Sequence, residues 1–202
     1  MARIREFGWR RLHSLTGLFP VGLFLIVHFS VNYYSTKGVE AYNKAASFMG
    51  NLPFLLFLEF VLIYIPLVFH AVYGVYIAFT AKHNVRRFSL FRNWMFLLQR
   101  ITGLFLIVFI SWHVWETRIQ KAFGAEVNFD MMANILDNPW MLAFYIAGVV
   151  SSVFHLANGI WSFCVSWGIT VSPRSQQIMT YVTMAFFVVM SYVGIRALLG
   201  FV

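Results

Sequence analysis

Five apolar stretches, each long enough to cross a lipid bilayer, account for most of this 202-residue chain. A membrane-spanning helix needs about 20 mostly apolar residues. Hydrophobic residues make up 60% of the sequence and charged residues only 11%, which excludes an ordinary soluble domain. The stretches lack the alternation of a membrane β-barrel. We predict an all-α integral membrane protein, a single domain over 1–202, with a bundle of helices at 14–34, 54–80, 94–115, 140–167 and 178–199.

The basic residues behind the net charge of +8 lie mainly on one side of this predicted bundle. They cluster at 3–11, at 82–92 and at Arg174, and we expect His83, in the second cluster, to be solvated. The positive-inside rule then places the N-terminus in the cytoplasm and the C-terminus outside the membrane. A basic inner face suits anionic lipid headgroups or an acidic partner protein better than nucleic acid.

Several prolines and the two outer loops refine this topology. Pro20 and Pro66 lie inside apolar stretches and should kink their helices, as neighbouring helices in a membrane allow. Short surface helices are expected at 42–50 and 129–136, one in each outer loop.

Four histidines lie inside four different apolar stretches: His28, His70, His113 and His155. Ionisable side chains at membrane depth are costly and are usually functional. Imidazole is also a common axial ligand of haem iron. A single such histidine is more often structural, but four of them suffice for two bis-histidine haems.

Two repeated patterns indicate how these histidines pair. Thr-Gly-Leu-Phe at 16–19 precedes His28, and the same motif at 102–105 precedes His113. At 1.5 Å of rise per residue, both histidines lie close to the outer ends of their helices. We therefore predict that His28 and His113 hold an outer haem.

The second pattern, Phe-His-x-x-x-Gly, contains the other two histidines, with glycines at Gly74 and Gly159. His70 and His155 lie about 23 Å below the outer edge by helical rise, and we predict that they hold an inner haem, stacked below the outer one. The glycines share a helix face with the histidines and would let a macrocycle approach the backbone. Packing between helices through small residues is the alternative.

Cys164 is the only cysteine, so a Cys-x-x-Cys-His attachment site is excluded and both haems would be non-covalent, b-type haems. On the inner side, several polar residues are candidate contacts of the haem propionates. They are His13, Ser14, Arg11, Arg92 and Arg100. Snorkelling of the arginines to the headgroups is the competing explanation.

Trp112 and Trp115 flank His113. They are candidates for packing on the outer haem, and an aromatic belt at the membrane interface is the alternative.

The chain resembles the cytochrome b558 membrane subunits of succinate dehydrogenases from menaquinone-using Gram-positive bacteria, within the five-helix, two-haem succinate:quinone oxidoreductases. The resemblance covers almost the whole chain. It is most specific in four segments: RRLHSL at 10–15, HAVYGVYIAFTAK at 70–82, SWHVWETR at 111–118 and VNFDMMANIL at 127–136.

This resemblance implies a membrane anchor for a flavoprotein and an iron–sulfur subunit on the cytoplasmic face, which would oxidise succinate to fumarate. Electrons would pass from the iron–sulfur subunit through the inner and outer haems to menaquinone near the outer side. No dicarboxylate site is expected on this chain.

Glu59 is the acidic residue that the sequence places well inside an apolar stretch, about 8 Å below the outer edge. Because quinone reduction consumes protons, Glu59 is a candidate catalytic residue that relays protons to menaquinone. A carboxylate that faces the lipid headgroups is the alternative.

Three other functions remain open at this point. The chain could serve a quinol:fumarate reductase, which runs the reaction in the opposite direction. It could be the di-haem cytochrome b of a hydrogenase or formate dehydrogenase, although the Phe-His-x-x-x-Gly repeat argues against this. A haem-free transporter or structural protein would leave the two matched histidine pairs unexplained.

Overall fold

The computed structural model describes residues 2–82 and 84–202, so His83 lies outside the described residues. Every regular element in these two ranges is a helix. Five segments, here called the first to fifth spans, are long and apolar enough to cross a membrane, which confirms the predicted fold class. They are Glu6–Lys37, Leu55–Thr80, Phe91–Ala122, Pro139–Ser166 and Pro173–Leu199.

The first two spans are interrupted where their prolines lie. In the first span, helix Ala2–Leu18 stops before Pro20, helix Val21–Asn32 follows, and a 3₁₀ turn over Tyr33–Lys37 completes it. The second span begins with helix Leu55–Leu58, widens into a π-helix over Glu59–Tyr64 and continues as helix Ile65–Thr80, with Pro66 in its first turn. Proline has no N–H to donate, so an interruption at or just before it is the expected response.

The third span continues well beyond the predicted end at residue 115. Helix Phe91–Val114 passes into a π-helix at Trp115–Ile119 and a final turn at Gln120–Ala122. The prediction placed Glu116 and Arg118 outside the helix because both are charged. In the structure both side chains have protein partners, so the helix continues through them.

The fourth and fifth spans begin at prolines, helix Pro139–Ser166 and helix Pro173–Leu199. The Asn138 side chain accepts hydrogen bonds from the first N–H groups of the fourth span, and Ser172 forms a capping box with Ser175 at the start of the fifth. Such caps satisfy N–H groups that the helix leaves free. They explain why the fifth helix starts five residues before the predicted position 178.

Both predicted surface helices are present, at Val39–Gly50 and Phe129–Leu136. The backbone N–H of Phe129 donates to Asn43 at 2.8 Å. The Tyr42 ring meets Phe201 edge to face at 4.8 Å between centroids. These contacts join the two outer loops to the C-terminal end of the chain.

The fourth span is the centre of the bundle, since it packs against the first, third and fifth. Tyr145, Val149 and Val153 along it are buried. At Gly148 the Phe109 ring of the third span lies directly against the backbone, and a Cβ at this position would overlap it. A small residue here sets the distance between the third and fourth spans.

We expect Gly148→Ala to destabilise the bundle by about 1–3 kcal/mol, because the added methyl must displace a buried aromatic ring. The measurement is thermal unfolding of the purified protein in detergent. Gly8→Ala is the matched control, since nothing lies within 4 Å of a Cβ at Gly8 and alanine favours a helix. An unchanged unfolding temperature for Gly148→Ala would contradict this account of the packing.

Candidate functional site

The structure brings the four histidines together in the two pairs that the sequence predicted. The ring centroids of His28 and His113 lie 5.8 Å apart with the rings at 78°. Those of His70 and His155 lie 6.1 Å apart at 83°. The first pair joins the first and third spans, and the second pair joins the second and fourth.

These separations fit two imidazoles on opposite sides of one metal ion. A metal–imidazole bond is about 2 Å long and the ring centroid lies roughly 1 Å behind the bonded nitrogen, which gives about 6 Å between centroids. A metal ion held by two imidazoles would need further ligands that are not protein, and a bis-histidine haem would supply them. The residues present therefore fit two haems.

His70 is fixed from the first span. Its Nδ1 lies 2.8 Å from the backbone carbonyl oxygen of His13. A carbonyl can only accept, so Nδ1–H donates and the lone pair of Nε2 stays available to a metal. The ring rests on Gly17, where a Cβ would overlap it, and the His13 ring stacks on it at 4.0 Å.

His155 is fixed from the third span in a similar way. Its Nδ1 lies 3.3 Å from the Thr102 hydroxyl, which donates to the Leu98 carbonyl at 2.8 Å and so accepts from the ring. A Cβ on Gly103 would lie 3.0 Å from the ring. Gln99 donates to the His155 carbonyl at 3.0 Å.

The Thr-Gly-Leu-Phe repeat thus has a second role that sequence reasoning missed. Gly17 and Gly103 are the positions on which the His70 and His155 rings rest. The signal was present in the sequence, because the repeat was recognised but was related only to His28 and His113.

Gly74 and Gly159, which we predicted to contact haem, face neighbouring side chains. A Cβ at Gly74 would lie 3.2 Å from His13 Nε2, and one at Gly159 would lie 3.7 Å from Gln99 Nε2. Both contacts join neighbouring spans, which agrees with the alternative of small-residue packing. Haem contact by these two glycines stays a prediction.

The outer pair has different partners. His113 Nδ1 lies 3.4 Å from the Tyr145 hydroxyl, which donates to Glu116 at 2.9 Å. Asn32 Nδ2 lies 3.4 Å from His28 Nε2 and donates to the His28 carbonyl at 2.8 Å. Sequence reasoning missed all three partners, although Glu116 follows His113 by three residues and so lies on the same helix face.

Among the candidate propionate contacts, Arg100 stands out. All three of its guanidinium nitrogens are buried and lack a hydrogen-bond partner in the described part of the chain, and the group stacks on Phe96 at 3.6 Å. His13 Nε2 is also buried without a partner. Desolvated groups of this kind are costly unless something pairs with them.

The other three candidates already have protein partners. Arg92 donates to Thr180, Arg11 donates to the Ser166 carbonyl at 3.3 Å, and Ser14 accepts from the Trp167 indole at 3.1 Å. Arg11 Nε remains buried and unpaired within the described residues. A cavity of about 540 Å³ is lined in part by Arg92 and Gln99.

Trp112 and Trp115 are half-exposed. They line a shallow apolar groove on the surface of the third span, together with Val108, Ser111 and Phe144. This position agrees with the aromatic-belt alternative. Packing of the two indoles on a haem stays a prediction.

Glu59 forms an ion pair with Arg118. It is therefore not the isolated charge that the sequence suggested. The guanidinium donates to both carboxylate oxygens, at 2.8–3.2 Å. The Glu59 and Arg118 side chains are 16% and 29% exposed. Because the third span extends to Ala122, Glu59 shares one end of the bundle with Glu116 and Arg118 and is not the only acidic residue inside a span.

The comparisons with known proteins agree with this architecture. Residues 82–194 match the model of the succinate dehydrogenase/fumarate reductase transmembrane subunit family. The chain belongs to this family. It is 61% identical to the succinate dehydrogenase cytochrome b558 subunit of Bacillus subtilis (strain 168) over 202 residues, the whole length of both chains. The resemblance stated from the sequence is confirmed.

A second relative matches a shorter segment. The succinate dehydrogenase hydrophobic membrane anchor subunit of Thermoplasma acidophilum is 40% identical over 63 residues, which are 31% of this chain and 50% of that protein.

We expect Arg118→Gln to destabilise the protein by about 1–3 kcal/mol, because it leaves the mostly buried Glu59 carboxylate without its partner. The double variant Glu59→Gln/Arg118→Gln should recover most of this loss in thermal unfolding. Arg10→Gln is the control, because its pair with Glu6 is exposed and should contribute less than about 1 kcal/mol. Equal losses in the single and double variants would contradict the ion-pair account.

Proposed function

We propose that this chain is the di-haem membrane anchor of a succinate:menaquinone oxidoreductase. The proposal rests on the two imidazole pairs, whose ring centroids are 5.8 and 6.1 Å apart. Each pair joins two spans at a separation that suits a bis-histidine metal centre. Membership of the family supports the succinate dehydrogenase context.

His70 and His155 would hold the inner haem, and His28 and His113 the outer one. A bound b-type haem supplies one-electron redox chemistry. The residues of the chain orient the ligand rings. The His13 carbonyl, the Thr102 hydroxyl and the Tyr145 hydroxyl accept from the Nδ1–H groups of His70, His155 and His113, so that Nε2 of these three rings is free to bind metal. The fourth ring, His28, has its Nε2 3.4 Å from the Asn32 amide.

Arg100 and His13 are our candidates for the propionates of the inner haem. Their buried nitrogen atoms lack partners among the described residues, and a carboxylate would satisfy them. Arg11 could contribute its unpaired Nε from the same inner side. Ser14 and Arg92 are weaker candidates, because their polar atoms already bond to Trp167 and Thr180.

Glu59 is our candidate for proton transfer to menaquinone near the outer pair. The carboxylate is mostly buried, at 16% exposure, and Arg118 fixes its orientation with three hydrogen bonds. Reduction of a quinone to a quinol takes up two protons, and a carboxylate at the outer end of a span can pass them from water. The π-helix that starts at Glu59 supports this role, because such turns are frequent at functional sites.

The basic cytoplasmic face would bind the flavoprotein and iron–sulfur subunits, with the N-terminus inside and the C-terminus outside the cell membrane. The distribution of basic residues supports this orientation. The family description covers both succinate dehydrogenases and fumarate reductases. A quinol:fumarate reductase therefore remains the second candidate, and the haem potentials would separate the two.

The purified complex should show two b-type haems per chain in a reduced-minus-oxidised spectrum with a measured haem-to-protein ratio. His113→Ala should remove the outer haem and leave the inner one, and His155→Ala should do the reverse, since each haem depends on its own pair. His83→Ala is the control histidine and should retain both. A colourless protein from cells with ample haem would overturn the proposal in favour of a transporter or structural protein.

Glu59→Gln should lower the rate of menaquinone reduction by at least tenfold, because an amide cannot relay protons. Both haems and the reduction of an artificial dye acceptor by succinate should stay normal. Glu40→Gln is the matched control, since Glu40 is exposed at the start of helix Val39–Gly50. Full menaquinone reduction by Glu59→Gln would remove this residue from the proton path.

A further inference from the structure

One of the four predicted ligands is linked through a hydroxyl to a carboxylate. The Tyr145 hydroxyl lies 3.4 Å from His113 Nδ1 and 2.9 Å from Glu116 Oε2. Glu116 and His113 are on the third span, whereas Tyr145 reaches them from the fourth. The three side chains therefore form a chain that crosses the interface between two spans.

The direction of these hydrogen bonds follows from the atoms involved. A hydroxyl has one hydrogen, and Tyr145 donates it to the Glu116 carboxylate. Toward His113 the same oxygen can only accept, so the His113 Nδ1–H group is the donor. A tyrosine that already donates to a carboxylate is a better acceptor, because successive hydrogen bonds polarise one another.

The three hydrogen-bonded side chains are held rigidly. Tyr145 is only 2% exposed, and its ring meets the Phe109 ring edge to face at 5.5 Å. The Phe109 ring in turn lies nearly parallel to that of His113, at 13° and 6.1 Å. The hydroxyl and the imidazole therefore have little freedom to separate.

The other histidines have neutral partners in the described structure. His70 donates to a backbone carbonyl, and His155 donates to the Thr102 hydroxyl, which itself donates to a carbonyl. His28 has a contact with the Asn32 amide. Within the described residues, the link to a negative side chain is therefore found at the outer pair and not at the inner pair.

We propose that Tyr145 and Glu116 are positioning residues that lower the midpoint potential of the outer haem relative to the inner one. This inference rests on the proposed function. Donation to a hydroxyl that itself donates to a carboxylate increases the electron density on an imidazole, and a more basic ligand favours the oxidised iron. A lower potential at the outer haem makes it a stronger reductant for a quinone bound nearby.

The test is a potentiometric titration of the purified complex, in which the inner haem of the same molecule serves as the internal reference. Glu116→Gln keeps a hydrogen-bond acceptor for Tyr145 but removes the charge, and Tyr145→Phe removes the hydroxyl. Both should raise the midpoint potential of the outer haem only. We expect a change of up to about tenfold in its oxidised-to-reduced ratio, which is 59 mV for one electron.

Tyr145→Phe should also alter the low-temperature electron paramagnetic resonance signal of the outer haem, because the His113 ring loses the group that orients it. Tyr42→Phe is the matched control, since Tyr42 is equally buried but packs against Phe129 and Phe201. It should leave both potentials unchanged. If Tyr145→Phe loses the outer haem, Glu116→Gln alone decides the question.

If Glu116→Gln and Tyr145→Phe both keep two haems and the midpoint potential of the outer haem does not change, this inference is overturned. The proposed function would then stay intact. An equal shift of both haems would also overturn it, because the effect would then be general. A wild-type protein without haem would instead overturn the proposed function, and this inference with it.

Discussion

The contact on which the rest of the site depends is that of a histidine ring with a glycine backbone on the neighbouring span. His70 rests on Gly17, and His155 rests on Gly103. Because glycine has no side chain, each ring comes close enough for its Nδ1 to form a hydrogen bond with the neighbouring span. His70 bonds to the His13 carbonyl of the first span, and His155 bonds to the Thr102 hydroxyl of the third. The same contact sets the distance between the two helices, so the fold and the orientation of the predicted ligand are determined by one interaction.

These contacts also reveal an approximate internal repeat that extends beyond the recognised motifs. His13 lies four residues before Gly17, and Gln99 lies four residues before Gly103. His13 faces Gly74 on the second span, as Gln99 faces Gly159 on the fourth. The first two spans and the third and fourth spans therefore use equivalent positions for equivalent contacts, with a histidine in one half and a glutamine in the other.

The length of the apolar stretches was enough to predict the five spans, and repeated motifs with helical rise were enough to pair His28 with His113 and His70 with His155. Depth and pairing follow from helical rise and from repeated motifs, which are local properties. The predicted end of the third span at residue 115 was wrong, because Glu116 and Arg118 were expected to face water. Whether a charge can stay inside a span depends on its partner, and Tyr145 and Glu59 lie elsewhere in the sequence.

The two histidine pairs differ in their polar partners although their sequence motifs match. The repeat determines which helix faces meet, and both pairs have nearly the same separation and ring angle. It does not determine which polar group meets each Nδ1, since that depends on single residues such as Thr102 and Tyr145. Under the proposed function, two centres of nearly equal geometry would therefore have unequal electronic surroundings, and the direction of electron flow between them would depend on these second partners.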